Sequence, residues 1–332
     1  MKIVVDAMGG DHAPQAVVDG TIQAVKEFGI SVVLTGPKER ILQELSQYDY
    51  PKELVSIVDA PDVVAMDDPA TVTIRKKRNS SVSVGINLLK ADPDCRGFIS
   101  AGNTGAVVAA ATVFLGMMQG VERPAIGAVL PTLKGFALVL DVGANTDPKP
   151  QHLVQSALLA HVYARDMLGI ENPSVGLLNV GEEETKGTDF VKEIHRILSE
   201  RLPQNFVGNV EGSGIYRGDC DCIVCDGFVG NVVLKVSESL AESAIALLKR
   251  ELKKSPVAML GAWLMKSRLK QIRRYADYSE YGGAPLLGVD GIVMISHGRS
   301  DAKAIKNAIR AARREVEHNV IEHMRKEIGR FA

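Results

Sequence analysis

Short apolar runs, rich in β-branched residues, recur along the chain at 2–6 (KIVVD), 31–35, 55–59, 97–100, 125–130, 136–141, 174–179, 206–210, 221–225 and 291–296. Several are apolar throughout instead of alternating, which predicts parallel strands covered on both faces. Between them lie longer stretches with helical spacing, near 14–28, 81–90, 104–118, 150–168, 187–201, 230–252 and 301–328. This rhythm predicts an α/β fold, a three-layer α/β/α sandwich around a mostly parallel sheet. No repeat, low-complexity tract or linker divides the chain. Residues 1–332 therefore read as a single two-lobed unit, with 249–280 as a helical excursion.

Polar, glycine-rich loops follow the runs: DAMGGDHAP, SAGNTGA, LDVGANTDP, NVGEEETKG, DGFVGN and ISHGRS. In open α/β sheets ligands bind beyond the carboxyl ends of the strands. Six such loops are expected to converge there on one wide polar cleft. SAGNTGA enters an apolar helix, so it is either a plain N-cap or a cradle presenting free N–H groups and the positive dipole end to an anion. Ser100, Asn103 and Thr104 offer side-chain donors, while Gly102 and Gly105 permit close approach. The cations Arg123, Lys186, His297 and Arg299 in neighbouring loops favour the cradle, although a surface charge, a Glu pair and a helix cap are the plain alternatives for the first three.

Other chemistries lack their motifs. GEEETKGT has Lys-Gly where a Walker loop needs Gly-Lys-Ser/Thr, and GSGIYRG has the wrong spacing for a dinucleotide fingerprint. There is no GxSxG elbow and no HExxH. Asp6, Asp11 and His12 could hold Mg²⁺, but equally describe a Gly turn with an Asp cap. CDCIVC (220–225) contains a CxxC without a second Cys or His pair, so a buried strand is the simpler reading than zinc.

Net charge of −1 and 46% hydrophobic residues describe a water-soluble globular chain with no overall bias toward nucleic acid. The N-terminus lacks the apolar run of a signal peptide, and 106–118 is too short to span a bilayer. A cytoplasmic protein with reduced thiols is expected. Two basic clusters stand out. Arg75, Lys76, Lys77 and Arg78 form either a solvated loop or a landing patch for an acidic partner. They lack the interleaved aromatics that nucleic-acid binding would use. Residues 249–274 hold nine basic residues around an uncharged run that includes Val257, Leu260, Trp263 and Leu264. Insertion at an anionic membrane surface and burial in a homodimer interface both remain open for it.

The ordered set DAMGGDHAP, SAGNTGA, RPAI, LDVGAN, NVGEEETKG, DGFVGN, YGGAPLLGVDG and ISHGRS resembles the PlsX family, the bacterial phosphate acyltransferases of phospholipid synthesis. The resemblance covers essentially the whole chain. It implies a Rossmann-like fold similar to phosphotransacetylases and isopropylmalate dehydrogenases, whose metal- and NAD-dependent chemistry is the alternative function. It further implies acyl transfer from acyl carrier protein to inorganic phosphate, without metal or cofactor. A homodimer, peripheral membrane association and a membrane glycerol-phosphate acyltransferase as partner follow from the same resemblance. On this reading the phosphate contacts Ser100, Gly102, Asn103, Thr104, Gly105 and Arg123. Lys186, Asn231 and His297 supply catalytic donors, and Asp6, Gly9, Gly10, Asp11, His12, Asp141 and Asn145 complete the cleft.

Overall fold

Among the described residues eleven strands form: β1 (Lys2–Asp6), β2 (Ser31–Gly36), β3 (Val55–Asp59), β4 (Cys95–Ser100), β5 (Ala125–Thr132), β6 (Gly135–Leu140), β7 (Val175–Leu178), β8 (Phe206–Val210), β9 (Cys222–Val224), β10 (Ala284–Leu287) and β11 (Ile292–Ile295). The computed structural model describes residues 1–69, 75–269, 271, 280 and 282–331. All eleven strands join one sheet in the order β3-β2-β1-β4-β11-β10-β5-β6-β9-β7-β8. Among these described strands β11–β10, β10–β5 and β5–β6 pair antiparallel and the other pairs are parallel. The mostly parallel α/β architecture expected from the apolar runs is therefore present.

The helices are α1 (Gln15–Phe28), α2 (Lys38–Leu45), α3 (Ser81–Ala91), α4 (Thr104–Ala110), α5 (Pro150–Leu168), α6 (Asp189–Arg201), α7 (Gly212–Arg217), α8 (Gly227–Leu252), α9 (Pro256–Leu264), α10 (Ala302–Glu317) and α11 (Val320–Phe331). Alternate strand residues feed opposite faces, as the pleat requires. Val4, Phe98, Ile126 and Val139 pack into the core beneath α3, α4 and the start of α8. Ile3, Val5 and Ile99 pack against α1 and α10, and Leu138 and Leu140 against α5 and α11. Side-chain caps set the starts of α3, α4, α8 and α10: Ser80, Asn103, Asp226 and Asp301 each accept a first-turn N–H. The long pattern at 301–328 is two helices, parted at Asn319 with φ of 52°. Strand β10 lies inside the loop motif YGGAPLLGVDG, where a proline and flanking glycines hide a four-residue strand.

The antiparallel steps change the geometry expected of the loops. By register, β1, β2, β3, β4, β5 and β11 run one way, and β6, β7, β8, β9 and β10 the other. Loops after β1, β4 and β11 thus leave one edge of the sheet, and loops after β6, β7 and β9 leave the opposite edge. The six loops do not share one rim. Helix α8 links the two sets, since Asn231 bonds the loop after β6 and Lys235, about one turn later, meets the loop after β11.

Candidate active site

Three loops at the first edge are stitched together by backbone. Ser296 N–H donates to Ser100 O at 2.8 Å, and Asp11 N–H to Gly298 O at 2.7 Å. A Cβ on Gly9 would fall 2.7 Å from both Asp6 Oδ2 and Gly102 N, so only glycine lets the first two loops meet. Beneath them Ser100 is 1% exposed. Its hydroxyl donates to Asp6 Oδ2 at 2.7 Å and accepts from Gly102 N–H at 3.0 Å. Asp6 also accepts from Met8 N–H. Burial raises the Asp6 carboxyl above its ordinary range, against the hydroxyls of Ser81 and Ser100, which lower it.

Two residues read as anion donors are thereby turned inward. The Ser100 hydroxyl and the Gly102 N–H serve each other and Asp6. Asn103 caps α4 through Oδ1, at 2.9 Å from Ala106 N. Its Nδ2 donates to the carbonyls of Met66 and Asp68 at 2.9 and 3.1 Å, tying down the 65–68 loop. What remains open to solvent is Thr104 and Gly105. Their N–H groups occupy the first two helical positions and have no intrahelical acceptor. The helix behind them continues through a π turn at Ala111–Leu115, so its dipole is that of a twelve-residue element. Asp11 and His12 flank the cradle as exposed side chains, and Gly10 at φ 101° turns the chain toward them.

His297 adjoins this loop. Its Nδ1 accepts from Arg299 N–H at 3.1 Å, and its Nε2 lies 3.1 Å from Lys235 Nζ on α8. Lys235 is also paired with Glu238 at 3.0 Å. Burial and then the Lys235 ammonium hold the imidazole below its ordinary pKa, so the ring is neutral near pH 7. Lys235 was invisible to sequence reading because a lysine on an amphipathic helix is most simply a solvated charge.

A second cluster sits at the opposite edge. Buried Asp141 accepts from the N–H groups of Ile126, Gly143, Ala144 and Asn145. Burial raises its pKa while these bonds oppose the rise. The Asn145 amide reaches Pro124 O and Asp141. Asn231 on α8 donates to Val142 O at 3.2 Å. Asp141 and Asn145 are therefore the internal frame on which α8 is seated.

The remaining expected residues are dispersed. Arg123 precedes β5, next to Pro124 and Asn145, at the edge opposite Thr104. The helix between them is about 18 Å long at 1.5 Å per residue, so Arg123 does not join the cradle. Lys186 is exposed in the loop after β7, where its carbonyl accepts from Asn179. Among the described residues it forms no ion pair with the adjoining glutamates. In the basic cluster Arg75, Lys76 and Arg78 are exposed. Lys77 instead binds Val63 O at 2.9 Å and Asp68 at 2.7 Å, bracing the loop that Asn103 holds. Val257, Leu260, Trp263 and Leu264 project from α9, with Trp263 69% exposed. Lys270, Ile272, Arg273 and Arg274 lie outside the described residues. The four cysteines are buried and unpaired, and burial pushes the Cys95 thiol up to about 11. Among the described residues no group of three or more His, Cys, Asp or Glu is placed to hold a metal. None of the described helices is long and apolar enough to cross a membrane.

Comparison with known proteins places this arrangement. The open sheet with its two sets of loops matches a phosphotransacetylase from Streptococcus pyogenes at a TM-score of 0.64, 18% identity, covering 96% of this chain and 94% of that one. A 4-hydroxythreonine-4-phosphate dehydrogenase from Klebsiella pneumoniae matches at a TM-score of 0.51 and 13% identity, covering 94% and 98%. At these identities both speak for the fold alone. A phosphate acyltransferase from Desulfitobacterium hafniense is 49% identical over 332 residues, all of this chain and 98% of that protein. The model of the fatty acid synthesis protein family matches residues 1–323. The chain is thus an acyltransferase, and it belongs to the PlsX family of phosphate acyltransferases.

Proposed function

We propose that this protein transfers a fatty acyl group from acyl carrier protein to inorganic phosphate, giving acyl phosphate for phospholipid synthesis. The observation that carries the reading is the cradle at Thr104 and Gly105, whose unpaired first-turn N–H groups face solvent while Ser100, Asn103 and Asp6 brace it from behind. Phosphate held there is already a nucleophile near neutral pH, so positioning is the main requirement. A phosphate oxygen attacks the thioester carbonyl carbon and the C–O bond forms. The C–S bond then breaks, and its electron pair leaves on sulfur, which takes up a proton to become thiol. His297, whose loop is bonded to the cradle through Ser296, is the donor proposed for the developing oxyanion and the leaving sulfur, while Lys186 and Asn231, set with the loops of the opposite edge, are given no step.

The exposed cations Arg75, Lys76 and Arg78 suit an acidic carrier protein. Along α8, Val229, Val232, Val236 and Leu240 form an exposed apolar stripe at helical spacing, which suits a second copy of the chain. The α9 tip, apolar and flanked by Lys253, Lys254 and Lys266, suits the surface of an anionic membrane, where a glycerol-phosphate acyltransferase would take the product. On this reading the protein works in the cytoplasm with peripheral membrane contact, as one two-lobed catalytic unit with the 249–280 excursion as its outer contact. The test is direct: incubate an acyl carrier protein thioester with phosphate and the enzyme, and trap acyl phosphate with hydroxylamine. Hydroxamate that depends on phosphate is expected; none above background overturns the proposal.

A further inference from the structure

One buried carboxyl has no task in the acyl-transfer reaction. Glu315, in the last turn of α10, is 2% exposed. Its Oε1 accepts the Tyr163 hydroxyl at 3.0 Å, and its Oε2 has no partner among the described residues. Buried polar atoms are normally hydrogen-bonded, so this oxygen calls for one. Glu315 lines a cavity of about 330 Å³, a size that holds a small ligand. The cavity lies where β4 and β11 begin, under the turn between α10 and α11. Buried Leu89, Cys95, Leu115, Ile292 and Val320 give it apolar walls. The cradle stands at the other end of the same strands. Arg96 lines the cavity, and Ser100, which braces the cradle, follows four residues along β4, about 13 Å away.

The charges at the mouth select the sign of the ligand. Lys90, Arg96 and Arg325 are exposed cations there, with Asp290 and Glu322 as exposed acids. Both acids are bonded to Arg325. Lys90 donates to Phe114 O at 2.7 Å, in the π turn that ends the α4 element. Arg96 forms no hydrogen bond or ion pair among the described residues, so its fork of donors is open to an anion. At the floor, burial pushes the Glu315 carboxyl up to about 8, so near pH 7 it is chiefly the neutral acid. A cationic ligand would meet an unpaired guanidinium at the entrance and a neutral acid inside. An anionic head, an apolar body and an inner hydroxyl match the mouth, the walls and the floor. A hydroxyl both donates and accepts, so it serves Glu315 in either protonation state. We propose that this cavity is a second binding site, which takes a small amphiphile whose anionic head is held by Arg96 and whose hydroxyl, at the far end of a short apolar chain, bonds Glu315. The site is separate from the cradle and independent of the reaction proposed there.

The probes are 8-hydroxyoctanoate and its parent acid octanoate, titrated into the full chain at pH 7 and followed by calorimetry and methyl NMR. The hydroxy acid should bind at least fivefold more tightly than octanoate, with NOEs from the probe to the Leu115 and Ile292 methyl groups. Arg96→Ala should weaken both probes at least fivefold. Glu315→Leu should abolish the preference for the hydroxy acid and leave octanoate binding unchanged. Arg96 is a surface residue, so Arg96→Ala and the NOEs decide the question even where Glu315→Leu fails to fold. Excess inorganic phosphate should not displace the probes. Absence of binding at millimolar probe, equal affinity in wild type and Arg96→Ala, or displacement by phosphate overturns the site. If the hydroxamate assay yields no acyl phosphate while the probes bind in this pattern, the cavity site stands and the proposed reaction alone falls.

Discussion

Replacing Ser100 with alanine separates a bracing role from a ligand role. The hydroxyl lies 2.7 Å from Asp6 Oδ2 and 3.0 Å from Gly102 N, and Ser100 is 1% exposed. Its loss deprives a buried carboxylate of a charge-assisted bond, which is about 1.5–3 kcal/mol, and leaves a buried N–H unpaired for about 1–3 kcal/mol more. These terms overlap, because a small relaxation of the loop lets each group find other partners. A net destabilisation of about 2–4 kcal/mol is expected. At about 2 °C per kcal/mol for a chain of this size, Tm should fall by roughly 4–8 °C. The deficit should depend on pH. Asp6 has a folded pKa raised above its unfolded value, so the folded state binds the proton more readily and stability increases as pH falls through that window. Loss of Ser100 raises the folded pKa further, so Ser100→Ala should lie closest to the wild type in acid and furthest at pH 7 and above. Calorimetry across pH 4–8, paired with phosphate KM in the hydroxamate assay, checks both parts. A Tm within 1 °C of the wild type, with phosphate KM strongly raised, would refute the bracing role and restore Ser100 as a ligand.

Gly230→Ala would place a Cβ onto Asp141 O, so α8 must move off its seat; about 1–3 kcal/mol of stability and most of the acyl-transfer activity should be lost, read by Tm and turnover together. Glu315 is fully buried, accepts the Tyr163 hydroxyl at 3.0 Å and has its pKa raised by burial to about 8. Between its unfolded value and pH 8 the folded state holds the extra proton, so stability should decline by up to about 1.4 kcal/mol per pH unit, and Glu315→Gln should flatten that slope in denaturant titrations at pH 5–8. Charge reversal at Arg75, Lys76 and Arg78 should raise KM for the carrier-protein thioester steeply at low salt, with little change in Tm. Lys77 is spared from that set because it braces Asp68. Leu260→Glu with Trp263→Glu should abolish sedimentation with anionic vesicles; variants that become monomeric by light scattering yet still bind vesicles would assign α9 to the dimer instead.

The apolar runs alone specified ten of the strands, because parallel strands buried on both faces carry continuous β-branched sequence whatever lies beside them. The capped helix start at Asn103 was equally legible, since its side chain acts on an N–H three positions away, whereas the helix capped by Asp226 begins at Gly227, ahead of the expected 230. The ordered loop motifs carried the family. Strand direction was not legible: an apolar run reads the same in either sense, and β10, four residues long with a proline, together with the β5–β6 hairpin sets β6, β7, β8 and β9 against the first half of the sheet. Nor was the allocation of polar atoms. Ser100 and Asn103 look like donors to a ligand until the fold brings Asp6, 94 positions away, and the 65–68 loop against them. Arg123 follows α4 in sequence but is set at its far end. Lys235 and His297, 62 residues apart, meet only because α8, seated on the loop after β6, also reaches the loop after β11. Local chemistry determines where a helix begins and which face of a strand is apolar, because its partners are neighbours in the chain. The choice between brace and ligand depends on partners that only tertiary packing supplies.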